Sequence, residues 1–319
     1  MLQYAAKTVN SVFFSCRFFF LSSKRYNFAI PISIGTQSTV RNKKKRDYRT
    51  GIEMLRFISF GSGSSGNCYL LQSDSDTILL DSGVGIRTLK KYFKDYGLSF
   101  ADISAVVVTH DHADHVKSVG ALSNMYNIPV YATELVHGGI QKNYCVRKKI
   151  EPANRRFIEK GVAFEVGGFR ITPFGVPHDS KDNVGYRIET CGKCFCLMTD
   201  IGHVTDEIRE NISAANYLVI ESNHDGAMLQ NGPYPQYLKN RISGENGHLS
   251  NAECAAELCA NYTRALKHVW LCHLSEENNH PELVRKTMEQ AFADKGIAVG
   301  SDIQVDVLKR KQPSGFYEL

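Results

Sequence analysis

At 319 residues, 43% of them hydrophobic and 22% charged, the chain can bury one or two sizeable cores and is too apolar for a disordered protein. Its formal charge of +5 is carried unevenly: residues 1–53 hold ten Lys and Arg against Asp47 and Glu53, leaving 28 basic against 31 acidic side chains in the rest. The body is therefore slightly acidic, which excludes a broad cationic face and leaves local basic patches for any anionic partner. Nine cysteines lack the spacing of a disulfide framework and fit a reducing cytoplasm.

In residues 1–53 the apolar runs Val12-Phe13-Phe14 and Phe18-Phe19-Phe20-Leu21 are broken by Arg17 and fall well short of the roughly 20 residues of a membrane span. A signal peptide ending near Ser22-Ser23 is the weaker alternative. The run Arg41-Asn42-Lys43-Lys44-Lys45-Arg46 reads as a solvated tail rather than a nucleic-acid arm. Met54 opens a clean apolar strand. The expectation is a disordered basic extension over 1–53, produced by a mis-called start, and one folded domain over 54–319.

From Met54 the pattern is regular. Strands are predicted over 55–60, 68–71 and 77–80, the first two joined by the loop Gly61-Ser62-Gly63-Ser64-Ser65-Gly66-Asn67. That loop lacks the Gly-Lys-Ser/Thr ending of a P-loop, so a tight hairpin near the functional site is expected rather than nucleotide binding, with its backbone N–H groups still open to a phosphate. Leu89, Tyr92, Phe93 and Tyr96 recur at helical spacing until Gly97. Strands at 103–108 and 128–131 follow, then an antiparallel run over 164–174, 184–188 and 195–198. Strand 217–220, helix 251–262, strand 268–272, helix 281–292 and strand 303–307 complete the chain. This alternation predicts an α/β domain of two mixed sheets covered by helices. Cys191-x-x-Cys194-x-Cys196 reads as thiols in a hairpin, since no second Cys or His pair stands at metal-site spacing. Arg147-Lys148-Lys149 and Arg155-Arg156 read as solvated charge runs, and His137, His268 and His280 as surface histidines.

One stretch carries chemistry. His110-Asp111-His112-Ala113-Asp114-His115 follows the apolar strand directly and delivers His-x-His-x-Asp-His within six residues. Neutral imidazoles and carboxylates are the donors that zinc, iron and manganese take. Further donors are expected where other strands end, and His178, Asp200 and His273 stand at such positions.

With those residues in this order, from Asp81 through His110–His115 and His178 to Asp200 and His273, the sequence resembles the metallo-β-lactamase superfamily of metallohydrolases. The resemblance implies an αβ/βα four-layer sandwich with two divalent metals at one edge of the sheets. It implies that His110, His112 and His178 hold one metal, that Asp114, His115 and His273 hold the other, and that Asp200 bridges both. Asp81 is then a supporting residue that orients the motif, with His224 a second candidate and His203 a third. Gly247-His248-Leu249-Ser250-Asn251 resembles an element of the nuclease branches. With Glu221–Asp225, Gly232–Pro235 and the 273–279 segment, it makes the YycJ/WalJ-like subgroup, described as DNA exonucleases, the nearest match. Neither the inserted domain of the β-CASP nucleases nor the long arm of ribonuclease Z is present in the sequence.

The resemblance implies a nuclease, DNA before RNA; the cysteine usage places it in the cytoplasm, and the all-His/Asp donor set takes zinc as first choice with manganese or iron as alternatives. Two metals about 3.5–4 Å apart make hydroxide available at neutral pH, and the bridging hydroxide is expected to attack phosphorus. His248 is expected to contact the scissile phosphate or protonate the leaving oxygen, and Asp114 to handle a proton while ligating. Lys239, Arg241 and Ser250 are the candidates for holding phosphate. A small-molecule hydrolase of a cyclic phosphodiester, thioester or lactam shares the whole metal core. A non-catalytic binding protein on the same fold is disfavoured by the complete ligand set.

Overall fold

The computed structural model describes residues 54–319; the expected basic extension over 1–53 lies outside the described residues. Strands β1 (Arg56–Gly61), β2 (Cys68–Gln72), β3 (Thr77–Leu80), β4 (Ile103–Val107), β5 (Val130–Ala132) and β6 (Arg155–Phe157) form one sheet. Strands β7 (Phe164–Val166), β8 (Phe169–Gly175), β9 (Val184–Thr190), β10 (Lys193–Met198), β11 (Tyr217–Glu221), β12 (His268–Cys272) and β13 (Gln304–Val307) form the second. The final strand β14 (Tyr317–Glu318) returns to pair antiparallel with β1. Each sheet has seven strands, begins antiparallel and turns parallel: β3 to β6 run parallel in the first, β10 to β13 in the second.

The central strands read as continuous apolar runs because both of their faces are buried. Along β1 and β2, Phe57, Tyr69 and Leu71 face the space between the sheets, while Ile58, Phe60, Cys68 and Leu70 face the helices. The second sheet repeats this division: Phe195, Leu197, Val219 and Trp270 point inward, and Cys196, Met198, Leu218 and Leu271 point to the outer helices. Three apolar layers between four layers of secondary structure give the expected αβ/βα sandwich.

Several local readings are corrected by packing. The antiparallel run predicted over 164–174 is two strands, split by Gly167 at φ +56. Arg155 and Arg156 do not form a free charge run; they start the edge strand β6 and pair with Val130 and Tyr131. His137 is buried rather than on the surface, with Nε2 against the Arg156 carbonyl at 3.1 Å. His268 lies flat on Trp270 with ring centroids 4.0 Å apart, and its Nε2 meets Asp306 at 2.9 Å. His280 is exposed, as read, and its Nδ1 accepts the Glu282 amide as the cap of the last helix, Pro281–Ala293. The Cys191–Cys196 segment is the β9–β10 hairpin as read, with Cys191 and Gly192 both at positive φ, as a tight two-residue turn requires.

Among the described residues no helix is long and apolar enough to cross a membrane. Trp270 is fully buried between the sheets against Phe57, at 4.7 Å between ring centroids. Trp270→Ala is therefore expected to cost about 3–5 kcal/mol in urea unfolding; a cost below about 1 kcal/mol contradicts a close-packed intersheet core.

Candidate metal centre

The parallel strands of both sheets end at one edge, and the donor residues sit on the turns that leave them. Asp81 follows β3, His110 follows β4, Asp200 follows β10, Glu221 ends β11 and His273 follows β12. Asp81, Asp200 and His273 adopt φ of 60, 57 and 53. Left-handed backbone is uncommon for residues with a Cβ and is tolerated where the surroundings over-determine it, as at functional sites.

The sequence motif closes into a cluster. His110, His112 and His178 bring donor atoms together, as do Asp114, His115 and His273, each set lying within 4.8 Å. Asp200 stands between the two: its Oδ2 is 3.2 Å from His115 Nε2, and its Oδ1 is 3.6 Å from both His178 Nε2 and His273 Nε2. The seven expected ligands thus converge.

The outward nitrogen of most rings is already engaged. His115 Nδ1 meets Asp81 Oδ2 at 2.7 Å, and Asp81 also accepts the Thr109 amide and hydroxyl. His178 Nδ1 donates to the Gly247 carbonyl at 3.0 Å. His273 Nδ1 meets Glu221 Oε1 at 3.1 Å. These contacts fix each ring so that Nε2 faces the centre. His110 Nε2 and His178 Nε2 are buried with no hydrogen-bond partner. A buried orphan nitrogen costs stability unless something occupies its lone pair. A cation fits that role, and the all-nitrogen-and-oxygen donor set suits a divalent ion.

Electrostatics point the same way. Burial alone would keep the His115 imidazole neutral, but the Asp200, Asp81 and Asp114 carboxylates push its pKa up to about 10. Burial likewise opposes charge on His273, and Asp200, Asp114 and Glu221 overcome it to raise its pKa well above the ordinary value. His110, buried and beside His115, is held well below the usual imidazole range. Burial disfavours charge on the Asp200 carboxylate too, yet His273 and His115 pull it well below its normal value. Carboxylates packed this closely need positive charge among them; without metal, protons on the imidazoles supply it.

Two residues had gone unassigned. Glu221 is fully buried, and its Oε1 receives both His273 Nδ1 and His248 Nδ1, the latter at 2.9 Å, while its Oε2 accepts the Ile201 and Leu249 amides. Its position at the end of an apolar strand is the same signal that singled out Asp81. Asn67, in the loop read as a tight hairpin near the site, is anchored by the Gly63 amide, and its Nδ2 reaches His115 Nε2 at 2.8 Å and Asp114 Oδ2 at 3.2 Å. Gly83 explains the Asp-Ser-Gly sequence: a Cβ there would stand 1.5 Å from the Asp114 carbonyl, so only glycine lets the motif helix approach.

The remaining candidates are placed as follows. His248 is at the rim of the cluster, with its ring 5.1 Å from that of His178 and 5.3 Å from that of His273. Arg241 Nε is bound to Asp179 Oδ2 at 2.6 Å, and Asp179 Oδ1 is 3.3 Å from His178 Nε2. Lys239, a candidate for holding phosphate, is instead buried, with its ammonium spent on the Gln230 carbonyl at 2.6 Å. Ser250, a second candidate, spends its hydroxyl on Glu253 as the capping box of the helix Asn251–Ala260. His224 is buried behind this helix start, where its carbonyl accepts the Asn251 amide and its Nδ1 has no partner. His203 is exposed and pairs with the Glu245 carbonyl. None of the donor clusters found among the described residues includes a cysteine.

A four-layer sandwich with this imidazole and carboxylate cluster at its edge has the donor set of a metalloprotein, and its likeness to known proteins makes it a metal-dependent hydrolase. Residues 76–273 match the family model of the beta-lactamase superfamily domain. The chain is 34% identical to the exodeoxyribonuclease YycJ of Bacillus anthracis, over 82% of this chain and 97% of that one. It is 32% identical to the exodeoxyribonuclease WalJ of Streptococcus pneumoniae, over 79% and 93%. The crystal structure of Zn(2+)-bound PqqB from Methylobacterium extorquens shares the fold, with a TM-score of 0.62 and 18% identity over 82% and 99% of the two chains. The protein belongs to the metallo-β-lactamase superfamily, in its YycJ/WalJ-like group.

Asp81→Asn is expected to weaken divalent-metal affinity about 10–100-fold, measured by competition with a chromogenic chelator, with the circular dichroism unchanged. Chelation of the wild-type protein is expected to lower its Tm, because the ions bind only the folded cluster. A Tm indifferent to chelator contradicts a metal-loaded centre.

Proposed function

We propose that the protein is a binuclear metal-dependent phosphodiesterase that cleaves nucleic acid, acting as a cytoplasmic DNA exonuclease with zinc as its first-choice metal. The observation that carries the reading is His248, an imidazole backed by the buried Glu221 carboxylate; it forms a donor group with Asp200, Glu221 and His273 but stands outside the sets His110–His112–His178 and Asp114–His115–His273. The exonuclease names of two relatives that align over most of the chain support the substrate class. Two divalent ions, when bound, would make hydroxide available near neutral pH and neutralise charge on a phosphoryl oxygen.

The side chains divide the remaining work. Asp200, between the two donor sets, would be the carboxylate available to both of them. With Nδ1 resting on Glu221, His248 has Nε2 left to give a proton to the departing sugar oxygen, and Glu221 stabilises the imidazolium before transfer. Asp114 has the more solvent-accessible carboxylate of the two aspartates and is suited to accept a proton while ligating. Arg241 exchanges Asp179 for a substrate phosphate, a swap of one anion for another that keeps the guanidinium paired.

Purified protein loaded with zinc or manganese is expected to shorten labelled DNA from an end, in preference to RNA. His248→Ala is expected to lose about 10²–10⁴-fold in DNA cleavage while keeping its metal content. The same variant is expected to retain far more activity on bis(p-nitrophenyl) phosphate, whose phenolate leaves without a proton. Loss of metal from His248→Ala would make it a ligand instead. Turnover of the small ester with no cleavage of any polynucleotide contradicts the nuclease reading.

A further inference from the structure

Tyr144 and Tyr237 are 90% and 74% exposed, the two highest values among the large hydrophobic side chains described. Folding normally buries such rings, as it does Tyr69 and Tyr186. Both exposed rings come from backbone tied to one rim of the metal centre. Asn143, the residue before Tyr144, donates from Nδ2 to the carbonyl of Asp111, between His110 and His112, at 2.8 Å. Tyr237 lies one turn before Arg241 on the helix Gln236–Ile242, and Arg241 binds Asp179, whose Oδ1 is 3.9 Å from His112 Nε2. The Lys181 amide donates to Asp111 Oδ1 at 3.2 Å and joins the two sides of the rim.

Neither ring sits on a loose tail. The loop carrying Tyr144 is pinned by the buried Val146 and Ile150 and by Lys149 Nζ, which donates to the Ile140 and Asn143 carbonyls. Each ring also has cationic neighbours exposed beside it: Lys142, Arg147 and Lys148 flank Tyr144, and Arg241 shares the face of Tyr237. An exposed aromatic face with adjacent cations is the combination that binds unpaired bases and their phosphates; duplex bases, stacked on each other, offer no such face.

We propose that Tyr144 and Tyr237 are stacking platforms for the bases of a single-stranded nucleic-acid segment passing the His112–Asp179 rim. The proposal rests on the phosphodiesterase reading above. It is tested by fluorescence anisotropy of a labelled phosphorothioate oligothymidine on the metal-loaded protein, with bis(p-nitrophenyl) phosphate turnover measured in parallel. Tyr144→Ala and Tyr237→Ala are each expected to weaken strand binding about 5- to 150-fold, the equivalent of about 1–3 kcal/mol per base. Tyr144→Trp and Tyr237→Trp are expected to bind like wild type, and small-ester turnover is expected to stay unchanged throughout. Wild-type affinity in both alanine variants would overturn the stacking proposal alone. A wild-type protein that hydrolyses the small ester but binds no strand would overturn the nuclease reading and this proposal with it.

Discussion

Asp81, Asp114, Asp200 and Glu221 bring four carboxylates to one edge of the sandwich, and Asp81 and Glu221 are fully closed to solvent. Mutual repulsion at such spacing and burial is too costly for an apolar core to absorb, so the edge depends on the imidazoles set among them. Asp81 and Glu221 each engage the Nδ1 side of a ring: Asp81 holds His115, and Glu221 holds both His273 and His248. Asp114 and Asp200 act from inside the cluster. The same acids that would destabilise the fold alone therefore set ring orientation, and Asp114 and Asp200 keep carboxylate oxygens facing the histidine cluster.

The arrangement follows from the way the two sheets end. Each sheet carries a parallel set of strands whose carboxyl ends lie at the same edge, and each contributes to the centre. The first sheet supplies the compact His110–His115 motif and its support Asp81. The second supplies His178, Asp200, Glu221 and His273 one at a time, from turns separated by long stretches of chain. Trp270, Phe57 and Phe195 fill the space between the sheets and fix the separation of these two contributions. Packing far from the edge is in this sense part of the site.

Much of this was legible in the residues because the donors follow apolar strands, and an apolar run that stops at a histidine or aspartate is a local signal. His110–His115 was the most legible, being contiguous. Glu221 escaped although it too ends an apolar strand, because its role lies in two rings distant in sequence. Asn67 escaped because a Gly/Ser loop looks the same whether it is idle or braces a ligand. Lys239 and Ser250 were read as phosphate contacts from type and neighbourhood, yet burial turns one to a backbone carbonyl and helix capping engages the other. His137 read as surface because the two glycines after it hide the helix Glu134–Lys142 that buries it. Tertiary packing decides such cases, and no spacing rule records it.

The central claim is that two half-sites share Asp200. It is tested most directly by anomalous diffraction at the metal absorption edge from crystals of the zinc-loaded protein. Two peaks per chain are expected, one in ligand contact with His110, His112 and His178, the other with Asp114, His115 and His273, and Asp200 touching both. A single peak, or a second peak out of reach of Asp200, would contradict the binuclear account.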